Sequence, residues 1–149
     1  MANELRSSQR PVLELARVLL VDDDPASRLT LQTVLRAGGY HVDAAASAAE
    51  AVSKLDEAEY ELVLTDLHME SPEAGLKVLS HARIMDYKPA TALITTYRDS
   101  PAPKGPAKRT SQTVLIEPED LPALLTKVAD LVSERATRRV QRGLRHSGD

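Results

Sequence analysis

The sequence predicts an α/β domain in which five parallel strands form one doubly wound sheet with helices on both faces. Short apolar runs alternate with longer segments of helical periodicity, as strand-helix-strand units require. The run Val18-Leu19-Leu20-Val21 is apolar at every position and stops at Asp22-Asp23-Asp24-Pro25, so it reads as a central strand buried on both faces. A second run, Leu62-Val63-Leu64-Thr65, ends in its own aspartate, Asp66. In a parallel sheet the carboxyl ends of the strands share one edge, where ligands bind. A strand order of 2-1-3-4-5 makes the first and third strands neighbours and brings Asp22, Asp23 and Asp66 together.

Each element has its own signature. Residues 1–15 read as a flexible leader, with Ser7-Ser8-Gln9-Arg10-Pro11 at their centre. The first strand covers about 17–22, and Asp24 and Pro25 supply the N-cap and first position of a helix with Leu29, Leu31, Val34 and Leu35 on its apolar face. Gly38-Gly39 ends that helix. A weak strand at 40–44 precedes Ser47-Ala48-Ala49-Glu50, a capping-box pattern that opens the second helix. The third helix is expected over about 75–86, with Pro89 closing the crossover. Thr91 to Thr95 and Thr113 to Ile116 read as the fourth and fifth strands. The last helix starts near Pro118-Glu119-Asp120, with Leu121, Leu124, Leu125, Val128, Leu131 and Val132 on its apolar face. Between the fourth and fifth strands, Ser100 to Arg109 holds three prolines and a glycine without apolar periodicity. The helix expected in residues 97–112 is therefore lost or irregular.

Composition narrows the function classes. The 149 residues suit one domain over 16–133 with a substantial core, and with 3% aromatics and no Phe or Trp that core is built from Leu, Val, Ile and Ala. No cysteine is present, which excludes disulfides and thiolate metal sites and is compatible with a cytoplasmic location. No apolar run approaches the ~20 residues of a membrane span, so no membrane partner is expected. The net charge of -3 hides an asymmetry. Residues 1–134 hold 14 Lys and Arg against 21 Asp and Glu, a net of -7, whereas the segment 134–149 carries Arg135, Arg138, Arg139, Arg142 and Arg145. That segment reads as a basic helical extension or a disordered tail. Without interleaved aromatics it makes a poor nucleic-acid reader, and an acidic protein or the acidic body of a second copy suits it better.

Taken together, Val18-Leu19-Leu20-Val21-Asp22-Asp23-Asp24-Pro25 with Arg28, Gly39-Tyr40-His41-Val42, Leu62-Val63-Leu64-Thr65-Asp66-Leu67-His68-Met69 with Gly75, Leu93-Ile94-Thr95 and Ile116-Glu117-Pro118 resemble the receiver domains of two-component response regulators. The likeness spans roughly residues 16–133 and implies the flavodoxin-like (CheY-like) form of the doubly wound fold. It implies Asp66 as phosphoacceptor, Asp22, Asp23, Asp66 and the backbone carbonyl of His68 as ligands of Mg²⁺, and Thr95 as the switch hydroxyl. The implied partners are a sensor histidine kinase or phosphotransfer protein and an output protein, with a homodimer through the last (fifth) helix as a further option. The chemistry agrees, because a hard cation takes carboxylate, carbonyl and water oxygens and neutralises charge as an aspartate attacks phosphorus.

Three departures distinguish this chain from the pattern. Glu117 stands where the family has lysine. Met69-Glu70 replaces the usual Met-Pro, and Gly75 falls nine residues after Asp66, one more than is typical. The fourth helix is replaced by the Pro-rich stretch, and Val114 stands at the position of the usual aromatic switch. The expected function is a stand-alone receiver in a phosphorelay, a phosphoacceptor module rather than an enzyme, because only about fifteen residues follow the domain. The alternative is a degenerate receiver whose interactions ignore phosphate. A weaker option is a haloacid dehalogenase-like phosphatase with Asp22 as nucleophile, for which no downstream acidic pair is found.

Overall fold

The computed structural model describes residues 16–66, 69–71, 73–96, 112–116 and 121–147, without the side chains of 95–96, 112–116 and 143–147. In chain order the elements are β1 (Arg17–Val21), α1 (Pro25–Ala37), β2 (His41–Ala45), α2 (Ala48–Glu57), β3 (Leu62–Asp66), α3 (Ala74–Arg83), β4 (Ala90–Thr96), β5 (Gln112–Ile116) and α4 (Leu121–Ser147). The strands lie in the order β2-β1-β3-β4-β5, and every neighbouring pair is parallel. The expected lack of a helix between β4 and β5 falls on residues outside those described, as does the leader 1–15.

Alternate residues of β1 go to opposite faces, as the strand period requires. Val18 and Leu20 enter a core under α1 and α4, with Leu31, Leu35, Leu62, Leu64, Leu124 and Val128. Leu19 and Val21 enter a second core under α2 and α3, with Ala51, Leu55, Val63, Val78 and Ala82. The four apolar residues of β1, Val18 to Val21, are fully buried, which is why that run is apolar at every position. Both faces of the sheet are therefore covered, and the strand ends are left to carry polar chemistry.

The helix ends follow local chemistry. Asp24 caps α1 by accepting from the Ser27 N–H at 2.9 Å. Gly39 takes φ 102°, a left-handed conformation suited to glycine, just after that helix. At Gly38 an added Cβ would stand 2.9 Å from Leu125 Cδ2, so α1 ends in close contact with α4. Ser47 caps α2 through the Glu50 N–H, and Glu50 reaches back to the N–H of Ala46.

The third helix stops at Arg83, three residues before the expected 86. Its end tightens, with the N–H of Ile84 bonding His81 and that of Met85 bonding Ala82. Lys88 then adopts φ 46° ahead of Pro89, a position where proline disfavours right-handed helix in the preceding residue. The carbonyls of this turn are held from α4. Arg135 Nε donates to Lys88 O at 2.9 Å and Arg135 Nη2 to Tyr87 O at 2.6 Å. Arg135 is only 8% exposed, and burial, then the neighbouring Arg139, lower its guanidinium from the ordinary value. Beyond it, α4 continues through the arginine-rich segment to Ser147. No helix among the described residues is long and apolar enough to cross a membrane.

Candidate functional site

Two strands deliver acids to one edge. Val21 at the end of β1 stands opposite Thr65 of β3, so the chain leaves β1 into Asp22 beside the step at which β3 ends in Asp66. Asp23 follows in the turn. One carboxylate oxygen from each of Asp22, Asp23 and Asp66 lies within 4.8 Å of the others. The first is buried, the second exposed and the third intermediate. Their environments therefore differ although their chemistry is the same.

Asp22 is the most constrained of the three. It is 2% exposed, its Oδ1 accepts from the Asp24 N–H at 3.0 Å, and its N–H donates to Ala45 O at 3.0 Å. Its carbonyl accepts from Arg28 Nη1 at 2.9 Å, so a cation on α1 grips the backbone of the acid rather than its carboxylate. Asp24 points away from the cluster to cap α1.

Asp66 is positioned by what lies against its backbone. A Cβ added to Gly75, in the first turn of α3, would meet Asp66 O at 2.9 Å, a distance that side chains do not tolerate against backbone. Glycine at this position lets α3 close on the end of β3. The glycine was legible in sequence as a spacing, but its reason was not. Farther along the loop, Met69 is 8% exposed in the core under α2 and α3, and a Glu70 oxygen accepts from the Ala48 N–H at 3.1 Å. Glu70 therefore satisfies one of the orphan donors at the start of α2. Sequence reasoning registered Glu70 only as a missing proline, and a helix cap supplied from twenty-two residues away leaves no local signature.

Asp66 is paired with Ile94 in β4, which puts Thr95 one step further along the same edge, opposite Leu115 of β5. The Thr95 side chain, Leu67, His68 and Glu117 lie outside the described residues, so the expected carbonyl ligand, switch hydroxyl and acid at the lysine position are placed by sequence alone. The donor set that is described fits a hard divalent cation such as Mg²⁺, which favours carboxylates and keeps several waters.

Comparison with known proteins bears on this geometry. The profile of the family described as "Response regulator receiver domain" matches residues 18–129. The chain is 38% identical over 87 residues to the gliding motility regulatory protein of Myxococcus xanthus, covering 58% of this chain and 11% of that protein. It is 27% identical over 121 residues to the transcriptional regulatory protein GlrR of Escherichia coli (strain K12), covering 81% of this chain and 27% of the relative. This chain thus spans only a minor part of either relative. Among solved structures, the response regulator protein TrrA from Thermotoga maritima, in complex with Mg(2+)-BeF, matches with a TM-score of 0.64 at 27% identity, covering 77% of this chain and 97% of that one. A CheY-like receiver domain protein from Methanospirillum hungatei JF-1 gives a TM-score of 0.68 at 21% identity over 84% of this chain and 99% of its own, a likeness of fold. With the matched profile spanning both acid-bearing strand ends and the sheet they belong to, the chain belongs to the response regulator receiver domain family of two-component signalling.

Proposed function

We propose that this domain accepts a phosphoryl group on Asp66 and signals by protein-protein contact. The observation that carries the proposal is the convergence of Asp22, Asp23 and Asp66 oxygens within 4.8 Å at the carboxyl edge of the sheet. The complex of the Thermotoga relative with Mg(2+)-BeF supports the same reading. Asp22, Asp23 and Asp66, with the carbonyl of His68, would hold Mg²⁺, which when bound neutralises charge on the phosphoryl oxygens.

An Asp66 carboxylate oxygen forms a bond to phosphorus as the bond to the donor imidazole nitrogen breaks. The imidazole keeps the bonding electron pair, and the product is an aspartyl phosphate. Asp22, fixed by the Asp24 N–H and with its carbonyl held by Arg28, gives the site a preorganised wall. Thr95, one step beyond the partner of Asp66, is the residue proposed to hydrogen-bond the new phosphoryl group. The donor is a sensor histidine kinase or a phosphotransfer protein, so the domain works in the cytoplasm.

Glu117 favours a second reading, a receiver that binds partners without phosphate, because it removes the cation that would pair with the acids. Incubation with radiolabelled acetyl phosphate and Mg²⁺ separates the two. The wild type takes up label and Asp66→Asn takes up none, while Glu117→Lys forms a longer-lived adduct. Equal labelling of the Asn variant places the acceptor elsewhere, and no labelling of any form leaves the phosphate-independent module.

A further inference from the structure

The arginine-rich half of α4 meets its own domain through Arg135 and through Arg139, whose Nη1 donates to Tyr87 O at 3.4 Å, while Arg138 and Arg142 stay exposed. With successive residues turning by about 100°, Arg135, Arg138, Arg139 and Arg142 fall within a sector of about 100°. Arg135 fixes the direction of that sector, because it lies on the Tyr87 and Lys88 carbonyls. Residues 136–142 are all exposed, and Val140 is 60% exposed. From Arg135 the helix runs on for twelve residues to Ser147, about 18 Å of rise. Among the described residues no ion pair engages Arg138 or Arg142. Glu134, four residues before Arg138, is the acid placed to support the segment from within, and a helix this basic gains little stability alone.

The same end of the domain carries an opposite surface. A cleft between the ends of α2 and α3 is lined by Asp56, Glu57, Glu59 and Asp86 around Leu55, Met85 and Ile84. Ile84 is 68% exposed, so an apolar floor stands open inside an acidic rim. Asp56 is engaged by His81 at 2.8 Å, whereas Glu59 and Asp86 reach into solvent. In their own domain Arg138 and Arg142 border a groove with Lys88 and Pro89 whose lining holds no acid, and no residue of α4 lines the acidic cleft.

We propose that the arginine face of α4 docks in the acidic cleft between α2 and α3 of a second copy of this chain, reciprocally, to form a two-fold dimer. Each copy offers one basic projection and one acidic, apolar-floored receptor at the same end, which is the self-complementarity an isologous interface requires. The exposed Arg138 and Arg142 match a cleft whose acids flank Ile84, so the charges are complementary, and the aliphatic stems of the arginines can cover the exposed isoleucine. The contact uses neither the phosphoacceptor edge nor β5, so it is independent of phosphorylation at Asp66.

Sedimentation equilibrium of the full chain and of two charge-reversed forms tests this. The wild type is a dimer at micromolar concentration, weakened as salt is raised. Arg138→Glu/Arg142→Glu and Glu57→Lys/Asp86→Lys each dissociate at least about tenfold more readily, because each homodimer now opposes like charges. An equimolar mixture of the two variants recovers dimer, since each reversed helix meets a reversed cleft. Melting temperatures within a few degrees of wild type show that both variants fold. A monomeric wild type at all concentrations, variants that dimerise as well as the wild type, or a mixture that stays dissociated each overturns the proposal.

Discussion

The two ends of the sheet gather charge in different ways. At the carboxyl edge, Asp22 and Asp23 after β1 meet Asp66 from the end of β3, more than forty residues away in sequence, and only the whole parallel fold brings them together. At the opposite end, the arginines come from a single helix and meet because of its period, while one of them, Arg135, ties that helix to the turn before β4. An assembly of distant residues fails when the fold fails. An assembly on one element fails when its anchor is cut, and the rest of the domain survives.

The largest effect is expected where that anchor is removed. Arg135→Ala deletes two charge-assisted bonds, leaving the Lys88 carbonyl without its side-chain donor and that of Tyr87 with only the longer 3.4 Å bond from Arg139. A loss of about 2–4 kcal/mol follows, read as a lower urea midpoint with an unchanged slope. If stability is unaltered, the basic end does not depend on its anchor and the contrast drawn above collapses.

The acidic end responds to Mg²⁺. At a hundredfold excess over Kd, binding stabilises the fold by about 2.7 kcal/mol, a rise in Tm of about 5–10 °C for a chain of this size. Asp23→Ala removes an exposed acid at little cost to the fold and abolishes most of that rise, whereas Arg142→Ala leaves it intact. A rise of equal size in Asp23→Ala and wild type moves the cation elsewhere.

Gly75→Ala probes how tightly the acidic end is built. The added methyl group meets Asp66 O at 2.9 Å, and the strain outweighs the gain of alanine in a helix, for a net loss of about 1 kcal/mol or more. Amide shifts that change around Asp66 and not around Arg135 would localise the effect. Stabilisation on thermal melting would contradict it.

The smallest expected effect is one of pH. Burial, then Glu59 and Asp56 nearby, push the Tyr87 phenol up from 10.0 to about 12. The folded protein holds this proton more firmly than the unfolded chain does. Its contribution to stability is complete below pH 10 and is lost as pH rises from 10 to about 12. The phenol also donates to Leu55 O at 2.9 Å. Tyr87→Phe should flatten the fall of urea-measured stability across that window, and an unchanged slope would show that other groups govern it.

Much of this was legible in the sequence because it rests on local rules. The apolar run of β1, the Asp24 cap, the Ser47 cap and the lone aspartate ending β3 each declare themselves within a few residues. The parallel sheet follows from the alternation of strands and helices, and the order 2-1-3-4-5 is that of the flavodoxin-like form of the fold. What was not legible rests on contacts between distant segments. Arg135 looked like the first residue of a solvated basic segment, yet it is buried on carbonyls of residues 47 and 48 positions earlier. The early end of α3 depends on a turn fixed partly by that contact. Gly75 stood out by its spacing and Glu70 by replacing a proline, while their tasks, clearance for a carbonyl and a cap for another helix, arise only in three dimensions.

The Glu70 cap has a further consequence, for the mechanics of the loop that follows the phosphoacceptor. Seven residues separate Asp66 from Ala74, and the bond from the Ala48 N–H fastens that span at its midpoint. A tethered chain behaves as two segments of three residues rather than one of seven, and short segments have far fewer closed conformations to explore. Extra residues inserted between Glu70 and Ala74 would add slack on the α3 side of the knot only. The stretch that joins Asp66 to Glu70 would keep its length, and with it the reach of the backbone carbonyls that follow the acid.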